Sequence, residues 1–299
     1  MGGMPTKSTT SDPSPKKTNE PEVDNCFEVR TINRITSMSL ESTHESLRWP
    51  KPMRMNVLVT MAASVLAVVV SVPAVAQTAN LTRQIFVEPK LGMTAEFETA
   101  LRAHIEWRKS NNDPWNWSTY SVVNGDDFGQ YVIRSTGHSW SAFDAYGTWE
   151  TRTRDAQHFT STVMPFVESF RQNISSLNLG LSRPVADLSA MTLFRLVSMD
   201  LSSPRGWFGA SAKITAAAEQ TNWSERWFIS QVVNGGSDDA VLIFPAENWA
   251  GFEPPKRSLL EMLTEAYGPD EATAIMDQVE LSVRSSATST VQLRPDLSY

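Results

Sequence analysis

Three histidines after residue 76, His104, His138 and His158, are the side chains best suited to acid–base chemistry near neutral pH. His104 and Arg108 are four residues apart on one face of a predicted helix, so their side chains should be neighbours. For His104 two interpretations stay open: a base or haem ligand in a pocket, or a buried histidine bonded to the backbone. We expect His138 to cap a helix and His158 to be exposed.

The sequence lacks the motifs of metal-dependent and nucleophilic hydrolysis. It contains no H-E-x-x-H, no G-x-S-x-G and no phosphate-binding loop. The tripeptide His104-Ile105-Glu106 matches the H-x-E of zinc deaminases, but their P-C-x-x-C partner requires cysteines. The only cysteine is Cys26, far upstream. We therefore predict no metal site, and nothing in the sequence calls for a cofactor.

Tryptophan is the residue type in excess, since nine of the ten follow residue 76. Most should lie in the core, where indoles bury a large apolar area. Alternatively, aromatic walls with a few polar groups are typical of small-molecule sites. The candidate ligand-binding residues are His104, Arg108, Trp117, Tyr120, Tyr131 and Trp227.

An internal repeat runs through the second part of the chain. Residues 117–125 read WSTYSVVNG and residues 227–235 read WFISQVVNG, a displacement of 227−117 = 110 positions. The pattern Trp140-x-x-Phe143 recurs as Trp249-x-x-Phe252. The pairs Ser175-Ser176 and Arg183-Pro184 recur as Ser285-Ser286 and Arg294-Pro295. Colinear matches of this kind indicate a tandem duplication, with copies at 77–189 and 190–299.

Each copy predicts the same order of elements. In the first, a strand-like run at 81–87 precedes a helical face that includes Phe97, Leu101 and Ile105. A hairpin turning at Asn124-Gly125, a second helical region and a last strand follow. This is the ferredoxin-like βαββαβ order, whose sheet leaves one apolar face open. We predict an α+β fold in which two such units close face to face as a pseudo-dimeric α+β barrel.

The arrangement resembles the dimeric α+β barrel superfamily, which includes antibiotic-biosynthesis-monooxygenase-like proteins. The second copy is similar to a group of exported bacterial proteins of unknown function, through Trp227-x5-Val233-Asn234-Gly235, Glu247-Asn248-Trp249 and the ending 294–299. The resemblance implies the fold and export rather than a chemistry. The superfamily includes cofactor-free oxygenases, haem-degrading enzymes, isomerases and binding proteins, and none of their catalytic motifs can be placed on this sequence.

The start of the chain predicts export. Residues 1–52 are polar and should be disordered. Arg54, the apolar run 57–72 and the ending Pro73-Ala74-Val75-Ala76 are typical of a secretory signal peptide over 53–76, cleaved after Ala76. We expect a bacterial periplasmic or secreted protein whose translation starts at Met53 or Met55. The competing interpretation is an uncleaved anchor, which would then be the only membrane contact.

Charge and composition limit the partners. Residues 77–299 hold 26−8 = 18 basic and 33−7 = 26 acidic residues, a net charge of −8, which argues against nucleic acid. Three hypotheses remain. The first is a binding protein or cofactor-free enzyme with an aromatic-lined barrel cavity for a small apolar molecule. The second is a structural or interaction module with a filled barrel. The third is a monooxygenase or a protein that binds haem or flavin. The oligomeric state is not predicted.

Overall fold

The computed structural model describes residues 79–299, so the polar leader, the signal peptide and Cys26 lie outside the described residues. The first half contains four strands and three helices. They are β1 (Leu81–Pro89), α1 (Thr94–Ser110), β2 (Ser118–Asn124), β3 (Tyr131–His138), α2 (Trp140–Thr153), α3 (Asp155–Thr162) and β4 (Val167–Leu177).

The second half repeats this order. Its elements are β5 (Leu193–Leu201), α4 (Pro204–Gln220), β6 (Phe228–Asn234), β7 (Ala240–Ala246), α5 (Leu259–Tyr267), α6 (Pro269–Ser282) and β8 (Val283–Leu293). The α5 helix begins with a capping box formed by Ser258 and Glu261. It ends at Gly268, and Pro269 opens α6, the glycine-then-proline order typical of a helix boundary.

Both halves have the same strand order, and together they form one closed barrel. The order is β4-β1-β3-β2 in the first half and β8-β5-β7-β6 in the second, with every pair antiparallel. The β2–β8 and β4–β6 pairs join the halves. Closure leaves no sheet edge unpaired. The predicted pseudo-dimeric α+β barrel of two ferredoxin-like units is therefore confirmed.

The two halves do not superpose at one constant displacement. Strands β2 and β6 are displaced by 110 positions, as in the Trp117–Gly125 motif, but β4 and β8 are displaced by 283−167 = 116. The segment between β7 and β8 (247–282) is longer than the one between β3 and β4 (139–166), and it begins with a 3-10 turn at Trp249–Phe252 before its first helix. The repeated serine pairs at 175 and 285 therefore occupy different positions, and their similarity does not reflect the duplication.

The repeated Asn-Gly pair lies where each hairpin meets the other half. Gly125 has a φ of +112° and Gly235 a φ of +75°, both in the region that favours glycine. A Cβ on Gly125 would lie 2.8 Å from the backbone oxygen of Thr288 in β8, and one on Gly235 would lie 2.9 Å from that of Gln172 in β4. The glycines thus permit the close approach that joins the halves.

Strand alternation divides the side chains between two layers. Residues on the outer faces pack under the helices and form one large core in each half. Residues on the inner faces form a third, smaller cluster, which we call the lumen cluster. It consists of Val122, Val132 and Val291, with Phe86, Tyr120, Phe194 and Leu196 packed against them. Within residues 79–299 no helix is long and apolar enough to cross a membrane.

Candidate functional site

The structure places the six predicted ligand-binding residues in three different environments. The space between α1 and the outer face of the first sheet contains the side chains of His104, Arg108 and Trp117. Trp117 directly precedes β2 and faces outward, whereas Tyr120, three residues later in β2, faces the lumen. Tyr131 lies on the outer face beside Phe97, and Trp227 belongs to the outer core of the second half.

A buried charged network joins α1 to α3. Arg108 donates from Nε and Nη2 to both carboxylate oxygens of Asp155, over 2.8 and 2.7 Å. His104 Nε2 lies 3.5 Å from Asp155 Oδ1. On the other side of the ring, His104 Nδ1 is hydrogen-bonded to His158 Nδ1 at 2.9 Å. Asp155 had no predicted role, although a buried arginine on a helix face requires an acidic partner.

The other two histidines differ from expectation. His158 is half-buried rather than exposed, since it stacks on Trp107 with ring centroids 4.4 Å apart. His138 does not cap α2, because the neighbouring Ser139 does so with its hydroxyl. Instead, His138 Nε2 is bonded to Ser135 Oγ at 2.8 Å, and its ring stacks on Trp115.

Burial determines the protonation state of His104. Desolvation, together with the positive charge of Arg108, lowers the pKa of His104 to about 3. The imidazole is therefore neutral in the folded protein at neutral pH. Since an efficient general base has a pKa close to the working pH, His104 is poorly matched to that role.

The space beside His104 is small. A cavity of about 20 Å³ is lined by His104, Arg108, Trp117, Thr119 and Tyr299, among others. Three buried polar atoms around it form no hydrogen bond with any residue in the described part of the chain: His104 Nε2, Trp117 Nε1 and Thr119 Oγ1. A polar space of this size holds one water molecule. Haem and flavin do not fit, because ligand pockets measure roughly 300–1,000 Å³.

Tyr131 and Trp227 are held by hydrogen bonds within the protein. Tyr131 Oη donates to Glu98 Oε1 over 2.6 Å, and burial together with this bond raises the pKa of Tyr131 to about 12. The indole N–H of Trp227 donates to the Leu181 carbonyl over 2.9 Å, and Arg183 stacks on its ring. The hydroxyl of Tyr131 and the indole N–H of Trp227 are therefore not free to bind a ligand.

Arg134, on the lumen face of β3, is a further candidate site residue that the sequence analysis did not single out. It is directly opposite Gln84 in β1 and Ser118 in β2, so the three side chains share the inner face. Among the described residues, none forms a hydrogen bond or ion pair with Arg134, and its Nε is buried without a partner. Burial lowers the pKa of Arg134. The signal in the sequence was an arginine directly after the apolar run Tyr131–Ile133, at a position that alternates onto the same face as Val132.

A larger space lies at the surface of the second half. A cleft of about 500 Å³ opens between residues 222–225 and 253–257. Its walls are loops, and its tryptophan, Trp223, is buried and donates its indole N–H to the Arg257 carbonyl. Burial raises the pKa of Glu225 in this cleft. The cleft lacks the exposed aromatic surface that the lumen provides.

No protein-family model matches the sequence, and no curated protein matches it significantly. Solved structures with a similar fold include an anthrone oxidase-like protein, at 13% identity and a TM-score of 0.43, covering 72% of this chain and 92% of the other. Another is chlorite dismutase from Candidatus Nitrospira defluvii, at 8% identity and a TM-score of 0.46, covering 74% and 93%. Sequence identities and TM-scores this low do not indicate a function for the chain. By the strand order of its own closed barrel, the chain has the dimeric α+β barrel architecture.

Proposed function

We propose that the chain is a binding protein for a small aromatic molecule, held in the lumen of the barrel. The observation that carries this proposal is the aromatic wall of the lumen cluster. Tyr120 and Phe194 meet edge to face with centroids 5.4 Å apart, one from each half. Together with Phe86 and Leu196 they are only half-buried, although they lie on the inner faces of a closed barrel.

Accessible aromatic surface inside a barrel favours a ligand that has the same surface. An aromatic ring gains stabilisation from edge-to-face contacts beyond the area it buries, about 0.5–1.5 kcal/mol for each pair. Tyr120 adds a hydroxyl to this wall, and small-molecule sites commonly combine apolar walls with a few polar groups. Of the predicted ligand-binding residues, Tyr120 belongs to the proposed site. His104 and Trp117 do not, because the cavity beside them measures only about 20 Å³.

The rival function is an interaction module whose barrel is filled by its own side chains. The tight packing around His104 and Trp117 favours this rival for the outer layer of the first half. The half-buried aromatic side chains favour binding for the lumen. The two functions therefore differ in one observable, the presence of a small molecule inside the barrel.

Native mass spectrometry of the protein purified from a bacterial host tests the proposal. We expect the additional mass of a small molecule on the wild-type chain. The variant Leu196→Trp places an indole in the lumen and should lose that mass. The control Leu188→Trp makes the same change at an exposed position and should retain it.

Two outcomes would count against lumen binding. If the Leu196→Trp variant keeps the additional mass as well as the control does, the ligand lies elsewhere. If neither the wild-type chain nor the control carries any molecule, the filled-barrel module is the better description.

We also propose that the protein is exported and cleaved after Ala76. The support is the sequence pattern of residues 53–76. N-terminal sequencing of the protein from the periplasm or medium should start at Gln77. A longer N-terminus on membrane-bound material would instead identify an uncleaved anchor.

A further inference from the structure

The lumen contains a cation for which the described residues supply no counter-charge. Arg108 pairs with Asp155 and Arg83 with Glu150, whereas Arg134 has no acidic partner within 4.0 Å. Its neighbours across the strands are Gln84 and Ser118, both uncharged. Arg134 is half-buried, and its Nε is shielded from solvent. A partly desolvated charge without a partner is unfavourable, and groups perturbed in this way cluster at functional sites.

The surroundings of Arg134 orient polar groups next to an apolar surface. Gln84 donates from its amide nitrogen to Asn173 Oδ1 and Ser175 Oγ, over 3.1 and 3.0 Å, which fixes its side chain. Two residues from Arg134, on the same face of β3, Val132 belongs to the lumen cluster. The guanidinium therefore lies at the border between a polar patch and the aromatic wall.

We infer that the lumen ligand carries a carboxylate that pairs with the Arg134 guanidinium, an inference that rests on the proposed function. The planar fork of an arginine matches the two oxygens of a carboxylate, and such bidentate pairs are strong and directional. The aromatic part of the ligand would then lie against Tyr120 and Phe194. The substrate class is an aromatic carboxylic acid.

The charge of the lumen favours a monoanion over a phosphate. Within residues 79–299, Arg134 is the single arginine beside the lumen cluster that has no hydrogen bond, ion pair or cation–π contact. The next, Arg171, is exposed and lies over the Phe86 ring at 3.8 Å. A phosphate monoester carries close to two negative charges at neutral pH, and one guanidinium would leave it undercompensated.

Titration calorimetry with two matched probes, 2-naphthoate and 2-naphthamide, tests the inference. The probes share one ring system and differ in charge. We expect 2-naphthoate to bind the wild-type protein at least about tenfold more tightly, as charged hydrogen bonds of this kind provide. Arg134→Gln should remove that preference and leave 2-naphthamide binding within about threefold of wild type, since the neutral amide forms no ion pair with the guanidinium and glutamine can still donate a hydrogen bond to its carbonyl.

A control separates the lumen charge from the overall charge. Arg152→Gln makes the same charge change on the exposed surface of α2 and should leave both affinities unchanged. Because the Arg134→Gln variant loses an unpaired, half-buried charge, we expect it to melt at or above the wild-type temperature. A cooperative melting transition there would show that the variant folds.

The outcomes separate this inference from the proposed function. Equal binding of both probes, unaffected by Arg134→Gln, would overturn the carboxylate assignment and leave aromatic binding in place. Failure of both probes to bind would overturn the inference and also count against an aromatic ligand. Tight 2-naphthoate binding that survives Arg134→Gln would place the carboxylate elsewhere and likewise overturn the inference.

Discussion

Replacement of Asp155 by asparagine should strongly destabilise the first half of the barrel. The carboxylate accepts two hydrogen bonds from Arg108, and the side chains of both residues are less than one-tenth exposed, at 4% and 8%. Asparagine has a similar shape but no charge, so Asp155→Asn leaves the guanidinium buried without its principal counter-charge. The loss of one partner of a buried pair costs about 3–5 kcal/mol.

The lower end of that range applies here, because one carboxylate remains in reach. Asp113 Oδ2 lies 3.9 Å from Arg108 Nε, too far for a hydrogen bond but close enough for partial compensation. We therefore expect a loss of about 3 kcal/mol in the free energy of unfolding. For a domain of this size the melting temperature should fall by about 6–12 °C.

Thermal and urea unfolding followed by circular dichroism measure this change. The matched control is Glu150→Gln, which removes the partner of Arg83 in an ion pair whose side chains are 20% and 27% exposed. Partly exposed pairs contribute at most about 1 kcal/mol. If the two variants lose the same stability, the network around Asp155 is not the buried charge pair described above.

Two further predictions concern acid stability and the junction of the halves. Between pH 6.5 and about 3 the unfolded chain binds a proton at His104 that the folded chain does not, so the free energy of unfolding falls as the pH falls through this window. His104→Gln should make that fall shallower by up to about 1.4 kcal/mol per pH unit, measured by urea unfolding from pH 7 to 4; an unchanged slope would contradict the lowered pKa. Gly125→Ala should lower stability clearly more than Gly129→Ala, because both glycines have positive φ but only a Cβ at 125 meets the backbone of the other half. Equal losses in thermal unfolding would show that the close approach to β8 does not matter.

The duplication and the element order could be predicted because they depend on local patterns. The Trp117–Gly125 and Trp227–Gly235 motifs share a hairpin geometry that requires glycine at its end, so the sequence similarity has survived there. The boundary between α5 and α6 could be placed because Gly268 and Pro269 act locally. The positions of β4 and β8 could not, since they depend on how many residues separate them from the preceding hairpin.

The composition of the candidate site was harder to predict, for two physical reasons. Trp117, directly before β2, and Tyr120, within it, were grouped together, yet their odd spacing along the extended chain puts them on opposite faces. Strand alternation alone would have separated them. Arg108 and Asp155 are 47 residues apart and belong to different helices, and no local sequence pattern indicates a contact over that separation. The isolation of Arg134 becomes visible only when every neighbouring strand is in place.

A crystal structure of the protein with 2-naphthoate would directly test whether the lumen binds an aromatic carboxylic acid. We predict that the naphthalene ring lies in the lumen, beside Tyr120 and Phe194, with its carboxylate on the Arg134 guanidinium. An empty lumen, or a probe bound instead in the cleft between residues 222–225 and 253–257, would contradict it.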